Sequence, residues 1–148
     1  MQNTLFFIAI FLFLLSCEKD TNTEFPKQLN TFDSLIGSYT VNEQFEITAP
    51  YKANGRGTYD IELYINRIDT NIIYFVNFIG WDTVIASYRN KIIDIPKQQI
   101  ESTRYGVIYL QSGRGFFYGD SIHYWFNTGS KAGLIESSCN AKKKQLKR

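Results

Sequence analysis

Two cysteines, one histidine and a scatter of carboxylates hold most of the reactive chemistry available to this chain of 148 residues. Cys17 ends the stretch Leu14-Leu15-Ser16-Cys17. A thiol yields the nucleophilic thiolate that forms a stable thioether, so this residue is the candidate for covalent modification. Cys139 as a catalytic nucleophile would want a nearby base, and His123 is the sole histidine. The better expectation for Cys139 is a small hydrophobe in a final strand. His123 has no second His or neighbouring Cys at ligand spacing, so no metal centre is expected. It alternates with Ser121, Trp125 and Asn127, while Ile122, Tyr124 and Phe126 take the opposite face, which puts it on the wetter side of a strand. Gly113-Arg114-Gly115 through Gly119 lacks the Gly-Lys-Ser/Thr and the following helix of a phosphate loop, and reads as a hairpin turn or bulge. Asp60 and Glu62 share the polar face of one strand, where two acids are solvated. With no acid, base or metal set assembled, neither an enzyme nor a bound cofactor is expected.

The elements that must position these residues begin with a leader. Leu5 to Leu15 is eleven apolar residues without a break. As a helix it spans roughly 16 Å, about half of a 30 Å hydrocarbon core, too short for a stable transmembrane segment. Its position and length suit the core of a signal peptide. With Leu14 at −3, Ser16 at −1 and Cys17 at +1, the stretch resembles the lipobox of bacterial lipoproteins, although the segment before it, Met1-Gln2-Asn3-Thr4, has no Lys or Arg. That resemblance implies diacylglyceryl on the Cys17 thiol, cleavage after Ser16 and acylation of the new amino terminus. Several acyl chains, at about 0.8 kcal/mol per buried CH₂, anchor durably where one does not. The expected location is therefore the bacterial outer membrane, lipid-anchored. Glu18-Lys19-Asp20 is similar to the Lys-plus-acidic signal that sends Bacteroidetes lipoproteins to the cell surface, with Thr21 where a second acid is usual. The periplasmic face and the cell surface both stay open.

Composition frames the rest. Hydrophobic residues at 44% and charged residues at 20% fit one packed globular domain. Ten Tyr, an abundance of Phe and Ile and only three Pro lean toward β structure. The net charge of +2 hides a basic tail: Lys142, Lys143, Lys144, Lys147 and Arg148 hold five of sixteen basic residues, leaving a body of about −3. A nucleic-acid partner is therefore not expected. The tail is either a solvated, frayed terminus or a contact for anionic headgroups or an acidic partner.

From Leu35 onward, turn signals alternate with short β-rich runs. Expected strands cover Tyr39 to Ile47, Tyr59 to Ile65, Ile72 to Ile79, Thr83 to Arg89, Lys91 to Ile95, Arg104 to Gln111, Gly115 to Tyr118, Ser121 to Asn127 and Leu134 to Ala141. Expected turns fall at Asn54-Gly55-Arg56-Gly57, Asp69-Thr70-Asn71, Asn90, Gly113, Gly119-Asp120 and Gly129-Ser130. A one-turn helix near Thr31 to Ile36 is the single helical expectation beyond the leader. Tyr59, Ile61, Leu63 and Ile65 give the clearest period-two run, whereas Ile72 to Ile79 reads as a strand covered on both faces or touching a neighbour. An antiparallel meander of about eight strands must hide its edges, and a barrel is preferred to a β-sandwich. The expected layout is a signal peptide at 1–16, a lipidated N-terminus and tether at 17–33, a β-barrel domain at 34–141 and a basic tail at 142–148.

Gly37-Ser38-Tyr39 resembles the Gly-x-Trp opening of lipocalins, with Tyr in the Trp position. Asn77-Phe78 before Gly80, Ile93-Asp94-Ile95-Pro96 before Gln98 or Gln99, and Gly113-x-Gly115 before Gly119-Asp120 are similar in order to the small lipocalin-like lipoproteins of Bacteroidetes. The resemblance implies a lipocalin-like barrel and an envelope location. Function then rests on the aromatic excess: ten Tyr, eight Phe and two Trp remain after the leader is removed. Aromatic walls suit a small apolar ligand inside the barrel, or a glycan or protein on its surface, with Trp81, Trp125 and His123 as the candidate binding surface. They equally suit a barrel filled by its own side chains. The alternative is a structural or accessory subunit of an envelope complex with no ligand. A void of roughly 300 Å³ or more inside the barrel would favour carriage, and a filled interior with an exposed apolar patch would favour a partner.

Overall fold

The computed structural model describes residues 34–48, 51–80, 82–102, 106–130 and 133–145. Cys17 and Trp81 lie outside the described residues. Nine strands follow one another: β1 (Gly37–Ile47), β2 (Ala53–Ile65), β3 (Ile72–Phe78), β4 (Asp82–Arg89), β5 (Ile92–Ile95), β6 (Gln98–Ser102), β7 (Gly106–Tyr118), β8 (Ser121–Ser130) and β9 (Gly133–Lys143). Each pairs antiparallel with its neighbour in the order β5-β4-β3-β2-β1-β9-β8-β7-β6, and β5 pairs back onto β7. The contact of Ile92–Ile95 with Gly113–Phe116 closes an eight-stranded antiparallel barrel, with β6 as an extra strand further along β7. A lipocalin-like barrel is consistent with this arrangement, and a sandwich is not.

Period-two alternation sets the inside. Tyr39, Val41 and Glu43 of β1 are buried, as are Ile61 and Leu63 of β2, Ile73 and Phe75 of β3, and Ile122, Tyr124 and Phe126 of β8. The interior is filled by its own rings. Phe78 lies 4.8 Å from Phe126 and 5.8 Å from Tyr124, and Phe75 lies 5.8 Å from Phe78, centroid to centroid. Such tilted and edge-on contacts add to the area term because ring edges meet ring faces. Tyr39 is buried and donates its hydroxyl to the Leu35 carbonyl at 2.7 Å. Burial, with the Asp120 charge, pushes its phenol up to about 12.

Several boundaries differ from the sequence expectation, each for a local reason. Asn54-Gly55-Arg56-Gly57 is not a turn but lies inside β2, where Gly55 faces Phe45 across the pair. A Cβ on Gly55 would come within 2.4 Å of the Phe45 ring, so the glycine is there to let an aromatic lie over the strand. Gly113 does not break a strand either: β7 runs through it, with a register shift between Leu110 and Ser112. The bulge alternative read for this glycine region describes it best. Gly129-Ser130 is not a turn, because Gly129 still pairs with Leu134 and Ser130 with Gly133. Ile72 to Ile79 is not covered on both faces; Ile73, Phe75 and Phe78 are buried while Tyr74 and Val76 are only half-buried. Asn77 and Ile79 take positive φ of 62° and 56° where the β3–β4 register shifts. Ser34 and Leu35 form a turn, and no helix occurs among the described residues. Lys142 and Lys143, assigned to the tail, complete β9.

β6 was not anticipated, and its presence explains Pro96 and Gln98. Proline offers no ladder donor, so pairing with β4 stops there. Gln98 then replaces the lost ladder with its side chain: Ile85 N–H donates to its Oε1 at 2.9 Å, and its Nε2 donates to the Ile85 carbonyl at 2.8 Å. Asp82 Oδ2 accepts from the Glu101 N–H at 2.9 Å, so two side chains bridge the seam between β4 and β6. Gln98→Leu is expected to lower stability by about 1–2 kcal/mol, because the two backbone groups of Ile85 lose their partner. The check is a lower urea midpoint at unchanged slope. An unshifted midpoint would mean that water serves Ile85 equally well.

The barrel has two distinct ends. At the near end lie the entry to β1, the β2–β3 loop at residues 66–71, the turns Asn90-Lys91 and Gly119-Asp120, and the end of β9. There Lys143 Nζ donates to the Ser34 carbonyl at 2.7 Å, and Lys144 N donates to the Ser38 carbonyl at 2.9 Å, so both ends of the domain are tied together.

Candidate functional site

The outer wall of β2, β1, β9 and β8 carries a polar groove. Register alone sets its rows. Arg56 pairs with Gln44, Gln44 with Ser138, and Ser138 with Trp125, so these four side chains cross the wall in one line. The next row toward the near end is Thr58, Asn42, Asn140 and His123, and the next toward the far end is Asn54, Glu46, Glu136 and Asn127. At about 4.8 Å between strands, a row of four spans roughly 14 Å. Two adjoining hollows of about 540 Å³ and 410 Å³ occupy this face and share Gln44, Arg56 and Ser138.

Its lining is chemically specific. Amides from Asn42, Gln44, Asn54, Asn127 and Asn140 offer paired donors and acceptors, and Ser138 adds a hydroxyl. Trp125 stands at one margin with 48% of its surface exposed, which supplies a flat apolar face beside those amides. Arg56 is a fixed cation at the opposite margin, and Glu46 and Glu136 bring acidic oxygens to the far row. The alternation of β8 brings His123 and Trp125 to the same face, as expected. The His123 ring is stacked on Phe116, with centroids 5.4 Å apart and planes 18° apart, so it is packed as well as available.

A second constellation lies inside the wall. Glu43, Tyr59, Tyr124, Ser137 and Cys139 meet within the barrel, with the Tyr59 and Tyr124 hydroxyls 3.4 Å apart and Tyr59 3.8 Å from Cys139 Sγ. Burial, followed by the Glu43 charge, pushes the Cys139 thiol up to about 12. A thiol held protonated in this way is not a nucleophile at neutral pH. Moreover, Tyr124 points inward from β8 beside Cys139, whereas His123 points outward and pairs with Asn140, so no Cys–His couple exists. Burial likewise raises the phenol of Tyr59 far beyond its ordinary range, and that of Tyr124 with it. Glu43 is raised by desolvation, opposed by a weaker influence of Ser137. The Ser137 hydroxyl leans toward Glu43 but falls short of hydrogen-bond geometry with any protein group.

The remaining carboxylates expected to be solvated are exposed, with partners. Asp60 accepts from Thr40 at 2.9 Å and pairs with Lys144 at 2.6 Å, which lowers its pKa, while Glu62 accepts from the Tyr64 hydroxyl. Among the described residues no group of three or more metal-ligating side chains gathers. Sequence reasoning missed Glu43, yet its parity with Tyr39 and Val41 was a usable signal. The groove amides carried no signal, because Asn and Gln on a wet strand face are ordinary. No protein-family model matches this sequence, and no curated protein is similar to it.

Proposed function

We propose that this chain is a lipid-anchored envelope protein that binds a glycan on its barrel wall, without catalysis. The observation that carries this reading is Trp125 half-exposed at the margin of an amide-lined groove. Sugars present hydroxyls in pairs along their edges and C–H groups on their faces. Amides satisfy the first and an indole satisfies the second. The filled interior argues against carriage of an apolar molecule within the barrel, since Tyr124, Phe75, Phe78 and Phe126 occupy that space. Anchorage rests on the Leu14 to Cys17 stretch and the short apolar leader.

Affinity electrophoresis through gels containing soluble neutral homopolysaccharides tests the groove. Retardation on at least one polymer is expected, with a loss of roughly tenfold or more in Trp125→Ala, equivalent to about 1.4 kcal/mol of ring contact. Migration unchanged on every polymer, or retardation indifferent to Trp125, would refute the reading. For the anchor, Cys17→Ala is expected to release the protein from the membrane fraction. The fractions are washed at high salt, which strips electrostatic contacts but not acyl chains, and a variant that still pellets like its parent after that wash removes the lipid from the account.

The accessory-subunit reading is favoured by a different face. Tyr64, Tyr74 and Ile85 line up across the outer wall of β2, β3 and β4, with Tyr64 and Ile85 about half exposed. A partner would bury that apolar row.

A further inference from the structure

We infer that the near end of the barrel is a docking face for an anionic lipid surface, a second membrane contact besides the acyl chains. The inference shares with the proposed function the premise that the domain lives at a membrane. Two observations carry it.

The first is apolar. Ile68, at the tip of the β2–β3 loop, is 98% exposed, and Tyr118, at the β7–β8 hairpin, is 77% exposed. Both stand on the end where β1 begins. An aliphatic side chain and a tyrosine on projecting tips suit the boundary between headgroups and acyl chains, where the ring is half in water.

The second is charge. The same end gathers Arg67, Arg89, Lys91, Lys142, Lys143 and Lys144, with all but Lys143 exposed. Four acids stand against these six cations: Asp60, ion-paired with Lys144, and Asp69, which keeps its charge while accepting the Asn71 N–H at 2.9 Å, are two of them. Glu62 and Asp120 complete the set. Basic side chains interleaved with exposed apolar tips favour anionic over neutral headgroups. An orientation follows: with the near end on the lipid, the rows through Gln44 and Glu46 lie toward the far end of the wall, clear of the membrane.

The test uses the chain from Glu18 onward, which has no acyl site but holds every strand of the closed barrel. Cosedimentation with phosphatidylcholine vesicles is compared with and without phosphatidylglycerol. Binding is expected only with phosphatidylglycerol, and it should weaken with added salt. The triple variant R67E/K91E/K142E should lose roughly a hundredfold or more in partitioning, since each basic residue near the surface contributes about fivefold and each substitution also adds a negative charge. Ile68→Asp should weaken binding as well, with an unchanged circular dichroism spectrum. Equal sedimentation with both vesicle types, or indifference to the triple variant, overturns the inference. A dimer that forms without vesicles and is broken by Ile68→Asp would assign the face to a second copy and overturn it too. Because this chain carries no lipid, its result is independent of the Cys17→Ala fractionation.

Discussion

Gly115→Val should cost about 3 kcal/mol or more and lower the melting temperature by roughly 10–20 °C. A Cβ at this position would lie 2.6 Å from the Tyr124 Cβ and 2.7 Å from the His123 carbonyl oxygen. Those obstacles belong to the backbone and first side-chain atom of β8, so no rotamer change relieves them. Nor can β7 slide away, because Gly115 also pairs with Ile93 of β5 on its other edge. The seam that closes the barrel runs through this residue. Gly113 repeats the argument, with the Phe126 Cβ and the Trp125 carbonyl oxygen each at 2.9 Å. Gly55→Ala serves as the contrast. Its Cβ would meet the far end of the Phe45 ring at 2.4 Å, but that ring is half-buried and can swing. A cost of about 1 kcal/mol is expected there. If Gly115→Val melts no lower than Gly55→Ala, the closure between β5 and β7 is looser than this geometry requires.

That contrast also shows what the sequence could reveal. The alternation of Tyr59, Ile61, Leu63 and Ile65 and the polarity switch at Ile122 to Phe126 were legible, because one wet and one dry face impose a period of two. Barrel closure was legible only as a preference: edge strands must be hidden, but nothing local says which two meet. Glycine was the main source of error. Gly55 and Gly113 look like turn residues, yet each sits in a strand because another side chain or strand crosses closely above it. That requirement is set by tertiary contact, which a single sequence does not display. β6 escaped notice for the opposite reason. Its five residues, Gln98 to Ser102, are polar apart from Ile100, and its ladder partner is the start of β7, which no local pattern announces. At the candidate site, Trp125 and His123 were legible as neighbours on a wet face. The groove was not, because Gln44, Arg56 and Ser138 become its lining only when β1, β2 and β9 are laid side by side.

Glu43 should make the protein less stable as pH rises through and above the ordinary carboxylate range, and Glu43→Gln should remove that loss. Below that range the carboxyl is protonated in both the folded and the unfolded chain, so it discriminates between neither. As pH rises, the unfolded chain ionises first. The folded chain holds its proton, because burial among Tyr59, Tyr124 and Cys139 disfavours the anion more than Ser137 favours it. A group whose folded pKa is raised thus gives stability at low pH that disappears as pH passes its folded value. At neutral pH the cost of holding a buried anion is on the order of 1–3 kcal/mol, and a neutral amide of the same shape avoids it. Guanidinium unfolding of parent and Glu43→Gln between pH 3 and 8 provides the measurement. The two curves should meet at the acid end and separate above it, with the variant the more stable. Cys139 adds a second loss of the same sign at alkaline pH, as its thiol passes from the ordinary range, about 8.5, toward 12. Parallel curves across the whole acid range would place the Glu43 carboxylate in water, and the polar cluster would then open to the barrel mouth rather than being sealed inside it.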